Sequence, residues 1–529
     1  MAPESTEWRP PAAPHKADMD RLLVLELRRM FPRAVLALLI VLLGLALALL
    51  PWKWAAGLVV GGIGLVGLLL RPQYVLCLLA LAVPFGSIWT WQLGPVNVGA
   101  AEALVVLLLS CWLAQGIARR RIVIPRPPLV LPLLIFVAAL LLSTLGAVSL
   151  ELSAKEIAKW VQVLIVYLFM SAAVDEGSAK WVVGTLLLAG SAEAAVGIYQ
   201  FLRQIGPEGF VLFGRFMRAH GHFGQPNPFA GYLGLGIPLA YALALQLFDR
   251  GRALPKDIPH GHSERSEACP EPGRRESQPH PATNLSCATG VYLIGAAAVV
   301  IMLAGMVMSW SRGGWIGVAA ALLVVTVARS RRALVVAVVI GLVLAYWLLV
   351  GGAQYLPPAL LQRVSDFIPY LSGVDVTRVE VTDANWAIIE RMAHWWAAIG
   401  MFSDHPWGGV GIGNYPVAYA QYALSHWRDP LGHAHNYYLN LAAETGLVGL
   451  SAYLILFVVC FAQAWRVIRR TRGYWRAVAL GVLGVLVHLS VHNLFDNLYV
   501  HSMNIQLALM LGLLSVAAGS KGSGHADRD

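Results

Sequence analysis

Charge is scarce in this chain. Of 529 residues only 13% are Asp, Glu, Lys or Arg, while 58% are hydrophobic. A water-soluble domain of ordinary composition carries about 25% charged residues, so a large soluble globule is excluded. No Asp-x-Asp or other dense acidic cluster stands in the polar stretches 202–227, 309–313 and 351–445, so no metal site and no cofactor are expected there. Cysteine is rare as well. Cys77, Cys111 and Cys460 fall in apolar runs and Cys269 and Cys287 in a polar insert, which supplies no disulfide framework. No small-residue cleavage site follows the first apolar run, so that run is expected to be a retained helix. The net charge of +10 is spread between apolar segments and forms no single stripe, which excludes nucleic acid as the partner.

What the chain has in quantity is apolar runs of membrane-spanning length. They cover 34–50, 54–70, 73–91, 99–117, 129–148, 157–174, 179–201, 228–247, 289–308, 313–328, 333–350, 446–465, 477–491 and 498–518. Backbone groups in lipid must bond within their own segment, which selects helices. The expected fold is an all-α polytopic membrane protein with about 12–14 transmembrane helices and an outer helical cap. Its parts are a cytoplasmic segment 1–33, a first helix group 34–248, a disordered polar insert 249–288, helices 289–350, the cap 351–445, C-terminal helices 446–518 and a tail 519–529.

Orientation follows from Lys and Arg in the short loops. Arg119, Arg120, Arg121 and Arg126 follow the fourth run, Arg329, Arg331 and Arg332 the tenth, and Arg466, Arg469, Arg470, Arg472 and Arg476 the twelfth. Counting from a cytoplasmic N-terminus puts every cluster inside, and puts 202–227, the turn at 309–313 and the long segment 351–445 outside. A structureless loop of that last length is uncommon, so a helix is expected over Asn385–Phe402, followed by the Gly-rich turn His405–Asn414.

Titratable and amide side chains then collect on the outer side. Arg215 and Arg218 precede His220-Gly-His222 and Asn227; Arg312 sits in Ser311-Arg-Gly-Gly314; Arg391 lies on the expected cap helix. Arginine there can anchor by snorkelling, but four on the side that positive charge avoids point to an anionic group such as a lipid-linked diphosphate. Guanidinium forks bind phosphate oxygens bidentately and stay charged. His433-Ala-His435-Asn436 closes the long segment, with Glu444 nine residues after His435. An imidazole accepts a proton near neutral pH, which makes His435 the candidate base, with His433, Asn436 or Glu444 in support. Trp407 and Trp427 are candidates to stack on sugar rings, and His488, His492, Asp496 and His501 near the last hairpin read first as packing or interface residues and second as lining the site.

The order His435-Asn436, nine residues, Gly446, two residues, Gly449 resembles the signature of the bacterial O-antigen ligase/polymerase family. Arg218–Asn227, Ser311–Gly314 and the block from Arg391 to Gly449 carry the resemblance, over roughly 185–515. It implies a metal-independent, inverting glycosyltransferase of GT-C type that moves a glycan from undecaprenyl diphosphate to a glycan, lipid A core or protein acceptor on the outer face of the inner membrane. His435 is then the base, and Arg218, Arg312 and Arg391 hold the diphosphate, with Arg215, Asn227, His433, Asn436 and Glu444 supporting. The His-Asn-nine-Gly spacing favours a ligase over a polymerase or a protein O-oligosaccharyltransferase. A transporter of lipid-linked sugars would call for inverted repeats and polar midplane helices, and haem handling for a Trp-rich acidic motif; neither is present in the sequence.

The topology is testable by cysteine labelling. Cysteines placed at Ser266 and Ser372 should be reached from opposite sides of the membrane; labelling of both from one side overturns the assignment.

Overall fold

The structure, a computed structural model, describes Val41, Leu45 and residues 49–86, 90–93, 96–120, 125–253, 281–370, 375–376, 378–382 and 385–520. It forms two compact units, 1–71 and 72–529. The first contains α1 (Trp52–Leu70). Residues 54–70 are apolar on every face, as suits a helix in lipid. The expected span 34–50 lies mainly outside the described residues.

The second unit begins with α2 (Gln73–Phe85), a hairpin of β1 (Thr90–Leu93) and β2 (Val96–Gly99), and the helices α3 (Ala100–Ala118), α4 (Val130–Ser143), α5 (Leu150–Ala173) and α6 (Glu176–Arg203). The strands are antiparallel, with Thr90 opposite Gly99. A short ribbon, β3 (Val211–Leu212) with β4 (Phe216–Met217), leads into α7 (Pro226–Ala253). Then come α8 (Pro281–Met308), α9 (Arg312–Arg329) and α10 (Arg331–Leu349), the segment helices α11 (Pro358–Ser365), α12 (Trp386–Asp404) and α13 (Tyr415–Tyr422), and finally α14 (Tyr437–Arg470), α15 (Gly473–His492) and α16 (Met503–Gly519).

Eight of the described helices are long and apolar enough to cross a membrane, and five more are shorter apolar helices. The chain is therefore an all-α polytopic membrane protein. Helix α7 packs against α8 and α15, α9 against α15, α14 against α4, and α16 against α5. The expected polar insert is narrower than 249–288, because α7 runs on to Ala253 and α8 starts at Pro281, taking Cys287 into a helix. Residues 254–280, with Cys269, lie outside the described residues.

The segment 351–445 carries α11, α12 and α13, and α12 covers nearly the run expected from sequence. Ala397, Ala398 and Met401 of α12 share a buried apolar core with Val410, with Tyr415 and Tyr419 of α13, and with Ala443 of α14. That core fastens α12 and α13 onto the start of α14.

Helix α14 is broken at Gly446, where φ is 61° and ψ −162°. A break inside an apolar helix strands backbone groups that lipid cannot satisfy. The Gly-rich loop 406–411 takes them up. Leu447 N–H donates to the Pro406 carbonyl at 2.7 Å and Val448 N–H to Trp407 at 3.4 Å; in the other direction Val410 and Gly411 donate to Ala443 and Glu444, each at 2.9 Å. A Cβ on Gly446 would overlap the Trp407 carbonyl, and one on Gly409 (φ 67°) the Glu444 backbone. The glycine spacing after His435 thus has a structural reason: it sets where the helix opens to accept the loop.

Gly446→Ala should combine backbone strain of about 1–3 kcal/mol with that overlap. A lowered apparent melting temperature of the purified protein is expected; an unchanged one would mean that the break is not required.

Candidate active site

His435 lies at the residue before the N-cap of α14, in the left-handed region at φ 51°. The cap is Asn436, whose side-chain oxygen accepts from Tyr438 and Leu439 N–H at 3.0 and 3.1 Å. Asn436 is therefore engaged in starting the helix, and His435 projects free of it. Tyr437 N–H donates to the carbonyls of Asn493 and Asp496 at 2.8 and 3.2 Å, which docks the start of α14 on the loop after α15.

That docking brings Asp496 to both histidines. Its Oδ1 lies 3.7 Å from His435 Nδ1 and 3.8 Å from His433 Nε2, at ion-pair rather than hydrogen-bond range. His435 N–H donates to His433 Nδ1 at 3.1 Å, so a neutral His433 carries its proton on Nε2, toward the carboxylate. Both ring nitrogens of His435 are buried without a hydrogen-bond partner. With Nδ1–H turned to Asp496, Nε2 is left as an acceptor, the disposition of a base oriented by a carboxylate. Burial pushes His433 down to about 4 despite Asp496. Burial by itself would raise the Asp496 carboxyl, but His435, His433 and Arg391 outweigh it and hold it below the usual carboxylate range.

A third imidazole stands beside them. His394 of α12 is buried, with its ring centroid 5.7 Å from that of His435. The Tyr415 hydroxyl donates to the His394 carbonyl at 3.1 Å, so His394 Nδ1–H donates back to the hydroxyl at 3.0 Å. Burial, then the neighbouring His435 and His433, lower it to about 4, so it is neutral at physiological pH.

The arginines named from sequence separate into two groups. Arg218, Arg312 and Arg391 converge; Arg215 does not, lying exposed between β3 and β4 with its guanidinium 5.4 Å from the centroid of Phe216. Arg218 donates through Nε to the Ser309 carbonyl at 2.9 Å and through Nη2 to Asn227 Oδ1 at 3.0 Å. Arg312, at the start of α9, pairs with Asp366. Arg363, from α11, joins the group: it donates to the Trp310 carbonyl at 3.1 and 3.3 Å and reaches Asp366 at 3.9 Å. Burial and the charges of Arg363, Arg391 and Arg312 lower Arg218 to about 9. Burial and Arg312 do the same to Arg363, which falls to about 10. Arg391 is the least engaged member. Its Nη1 donates only to the Ala387 carbonyl of its own helix, at 3.1 Å, and its Nε is buried without a partner. Its charge is felt by Arg218, Arg363, His433 and Asp496, so it stands between the arginines and the imidazoles.

Sequence reasoning missed Arg363 and Asp366, which no motif marks, and ranked Asp496 as a packing or interface residue ahead of a site-lining one. It also missed Glu193. This fully buried carboxylate of α6 accepts from His222 N–H and faces His222 Nδ1, each at 2.7 Å, and so fixes the loop that presents Arg218. Glu444 does not approach His435. It is buried at the break in α14 and accepts from Tyr415 N–H at 3.1 Å, holding the Gly-rich loop. The same loop is sewn to the first helix group, since Asn414 Oδ1 accepts from Ser149 N–H at 2.6 Å and Ser153 Oγ donates to Ile412 at 2.7 Å. Trp427 is buried against Ile389 and Ala393 in the core, so it lines no groove, whereas Trp407 is exposed. His488 and His492 are buried against each other, 3.4 Å between ring nitrogens.

A cavity of about 280 Å³ opens beside the dyad, lined among others by Gln225, His433, Asp496, Asn497 and His501. Its polar lining can hold hydroxyl-bearing groups within reach of the imidazoles. Ligand atoms of His433, His435 and Asp496 all lie within 4.8 Å of one another, a set that could also hold a metal ion. No acidic motif in the sequence announces it.

Residues 297–454 match a family model described as O-Antigen ligase. The match is narrower than the 185–515 over which the motifs extend, and includes Arg312, Arg363, Arg391, His433, His435, Asn436 and Glu444 but neither Arg218 nor Asp496. No curated protein matches the chain. Over this stretch the chain is similar to the O-antigen ligase family.

Proposed function

We propose that the chain is an O-antigen ligase-type glycosyltransferase that moves a glycan from undecaprenyl diphosphate to an acceptor hydroxyl on the outer face of the bacterial inner membrane. One observation carries the reading: a carboxylate-oriented imidazole, His435 with Asp496, stands beside four converging guanidiniums. The acceptor oxygen attacks the anomeric carbon with inversion, and its proton passes to His435 Nε2. The carbon–oxygen bond to the diphosphate breaks, and the electron pair leaves with the phosphate oxygen. Asp496 steadies the imidazolium; Arg218, Arg312, Arg363 and Arg391 take the growing charge of the leaving group. Phosphate has to share Arg312 and Arg363 with Asp366, whereas Arg391 is held only by its own helix.

Polymerisation and protein O-glycosylation would use the same donor and differ only in the acceptor. Incubation of the purified protein with a lipid-linked oligosaccharide and each acceptor class separates them by product. No product with any acceptor would overturn the glycosyltransferase reading.

A metal-assisted transfer is the second reading, favoured by the spacing of His433, His435 and Asp496. The two divide on chelation. Transfer should survive EDTA; activity that vanishes with chelator and returns with a divalent ion would install the metal in place of the base.

His435→Ala should lower transfer by about 10²–10⁴ while donor binding persists, because a general base contributes that much to rate. Asp496→Asn, which leaves the ring in place but removes the orienting charge, should cost roughly 10²-fold or more. Full activity in the His435 variant removes it from the mechanism.

Lysine at Arg218, Arg312 or Arg391 should leave transfer strongly impaired, since an ammonium cannot reproduce a bidentate fork. The largest loss is expected at Arg391. If all three lysine variants match the parent in steady-state assays, these arginines are membrane anchors and no clamp exists.

A further inference from the structure

Helices α9, α14 and α15 each have one end at the candidate active site, at Arg312, Tyr437 and His492, and the other end at a second polar region. There a cavity of about 420 Å³ is lined by Arg469, Arg472 and Arg476, with Thr471, Ile468 and Trp465. It belongs to the opposite end of the membrane-spanning bundle, since α14 at about 1.5 Å per residue is long enough to cross a bilayer.

Three features set these arginines apart from a charged loop that only fixes orientation. First, they line one cavity together, and among the described residues none of the three pairs with a carboxylate. Arg476 Nη2 instead donates to the Arg329 carbonyl at the end of α9, at 3.2 Å, which holds the guanidinium between two helices. Second, Arg472 and Arg476 stand at the N-terminal end of α15, which has no acidic residue in its first turn and no side-chain cap. A cation there is disfavoured by the helix dipole, so these residues do not serve helix stability. Third, Trp465 is half exposed at the rim and continues a stripe of exposed apolar residues on α14, Leu454 and Val458. That pairing of a cationic pocket with an apolar stripe has the two-part chemistry of a lipid.

We propose that this cavity binds the phosphodiester headgroup of an anionic phospholipid, with the acyl chains lying along the Leu454–Val458–Trp465 stripe of α14. The guanidiniums of Arg469, Arg472 and Arg476 take the phosphate oxygens, and the neutral wall at Ile468 and Trp465 takes the glycerol end. A lipid so held ties together the ends of α9, α14 and α15, the helices that carry Arg312, His435's neighbour Tyr437, and His492 at the other face. The proposal does not depend on what the outer site does.

The test is native mass spectrometry of the full-length protein, titrated in detergent with phosphatidylglycerol, phosphatidylcholine or inorganic phosphate. The parent protein should retain phosphatidylglycerol in preference to phosphatidylcholine, and millimolar inorganic phosphate should not displace it. Each arginine near the surface accounts for roughly fivefold in binding, so the combined R469Q/R472Q/R476Q variant should bind the anionic lipid roughly a hundredfold more weakly. The R469K/R472K/R476K variant keeps the charge and should stay within several-fold of the parent. Should the glutamine triple fail to fold, Arg472→Gln by itself is expected to lose roughly fivefold. Equal retention of both lipids, glutamine variants that bind like the parent, or displacement by inorganic phosphate alone would each overturn the lipid site.

Discussion

Everything around the candidate site hangs on the exchange of backbone hydrogen bonds at the break in α14. An intact helix would leave amides and carbonyls of the 406–411 loop without these backbone partners. The opening at Gly446 supplies partners in both directions, from Leu447 and Val448 to Pro406 and Trp407 and from Val410 and Gly411 to Ala443 and Glu444. Once the loop is seated, its far end reaches Ser149 and Ser153, and α13 follows directly from it. The position of α12, and with it Arg391 and His394, is then set by the apolar core shared with α13 and α14. Glu444 completes the joint through Tyr415 N–H, which is why a carboxylate sits so deep without facing the imidazoles.

Four guanidiniums within mutual electrostatic reach are costly to assemble, and the lowered values of Arg218 and Arg363 record that cost. The structure offsets it only in part. Asp366 serves Arg312 and Arg363, while Ser309, Asn227 and Trp310 offer uncharged oxygens. A surplus of positive charge remains, held by elements from four separate stretches of chain. In the function proposed above, such an arrangement would meet the leaving diphosphate with little reorganisation. The imidazole group is arranged by a contrasting rule. His433 and His394 are kept neutral by burial, and Asp496 is kept ionised by its neighbours.

Much of this was legible in the residues. Apolar runs of spanning length determined an all-helical membrane protein, because lipid leaves the backbone no other way to bond. The run of residues from His433 to Gly449 marked where an apolar helix begins, although α14 starts at Tyr437, ahead of the expected span at 446; the break at Gly446 came only from the structure, where φ of 61° against a neighbouring carbonyl requires glycine. Arginines on the side that positive charge avoids pointed to Arg218, Arg312 and Arg391, and to Arg215 as well, because charge at a membrane boundary is expensive and is kept where it serves.

What the sequence could not determine is which distant side chains meet. Asp496 lies 61 positions from His435 and resembles any polar residue of a helix hairpin; it becomes the partner only because Tyr437 N–H docks on the carbonyls of Asn493 and Asp496. Arg363 and Asp366 stand in a segment without a motif and enter the arginine group through the folding of α11 over the turn at Trp310. Arg215, three residues from Arg218, sits exposed in the turn between two paired two-residue strands, beside Phe216. Local pattern reports what one segment needs from its own backbone and from lipid, whereas charge pairing is settled by the packing of whole helices.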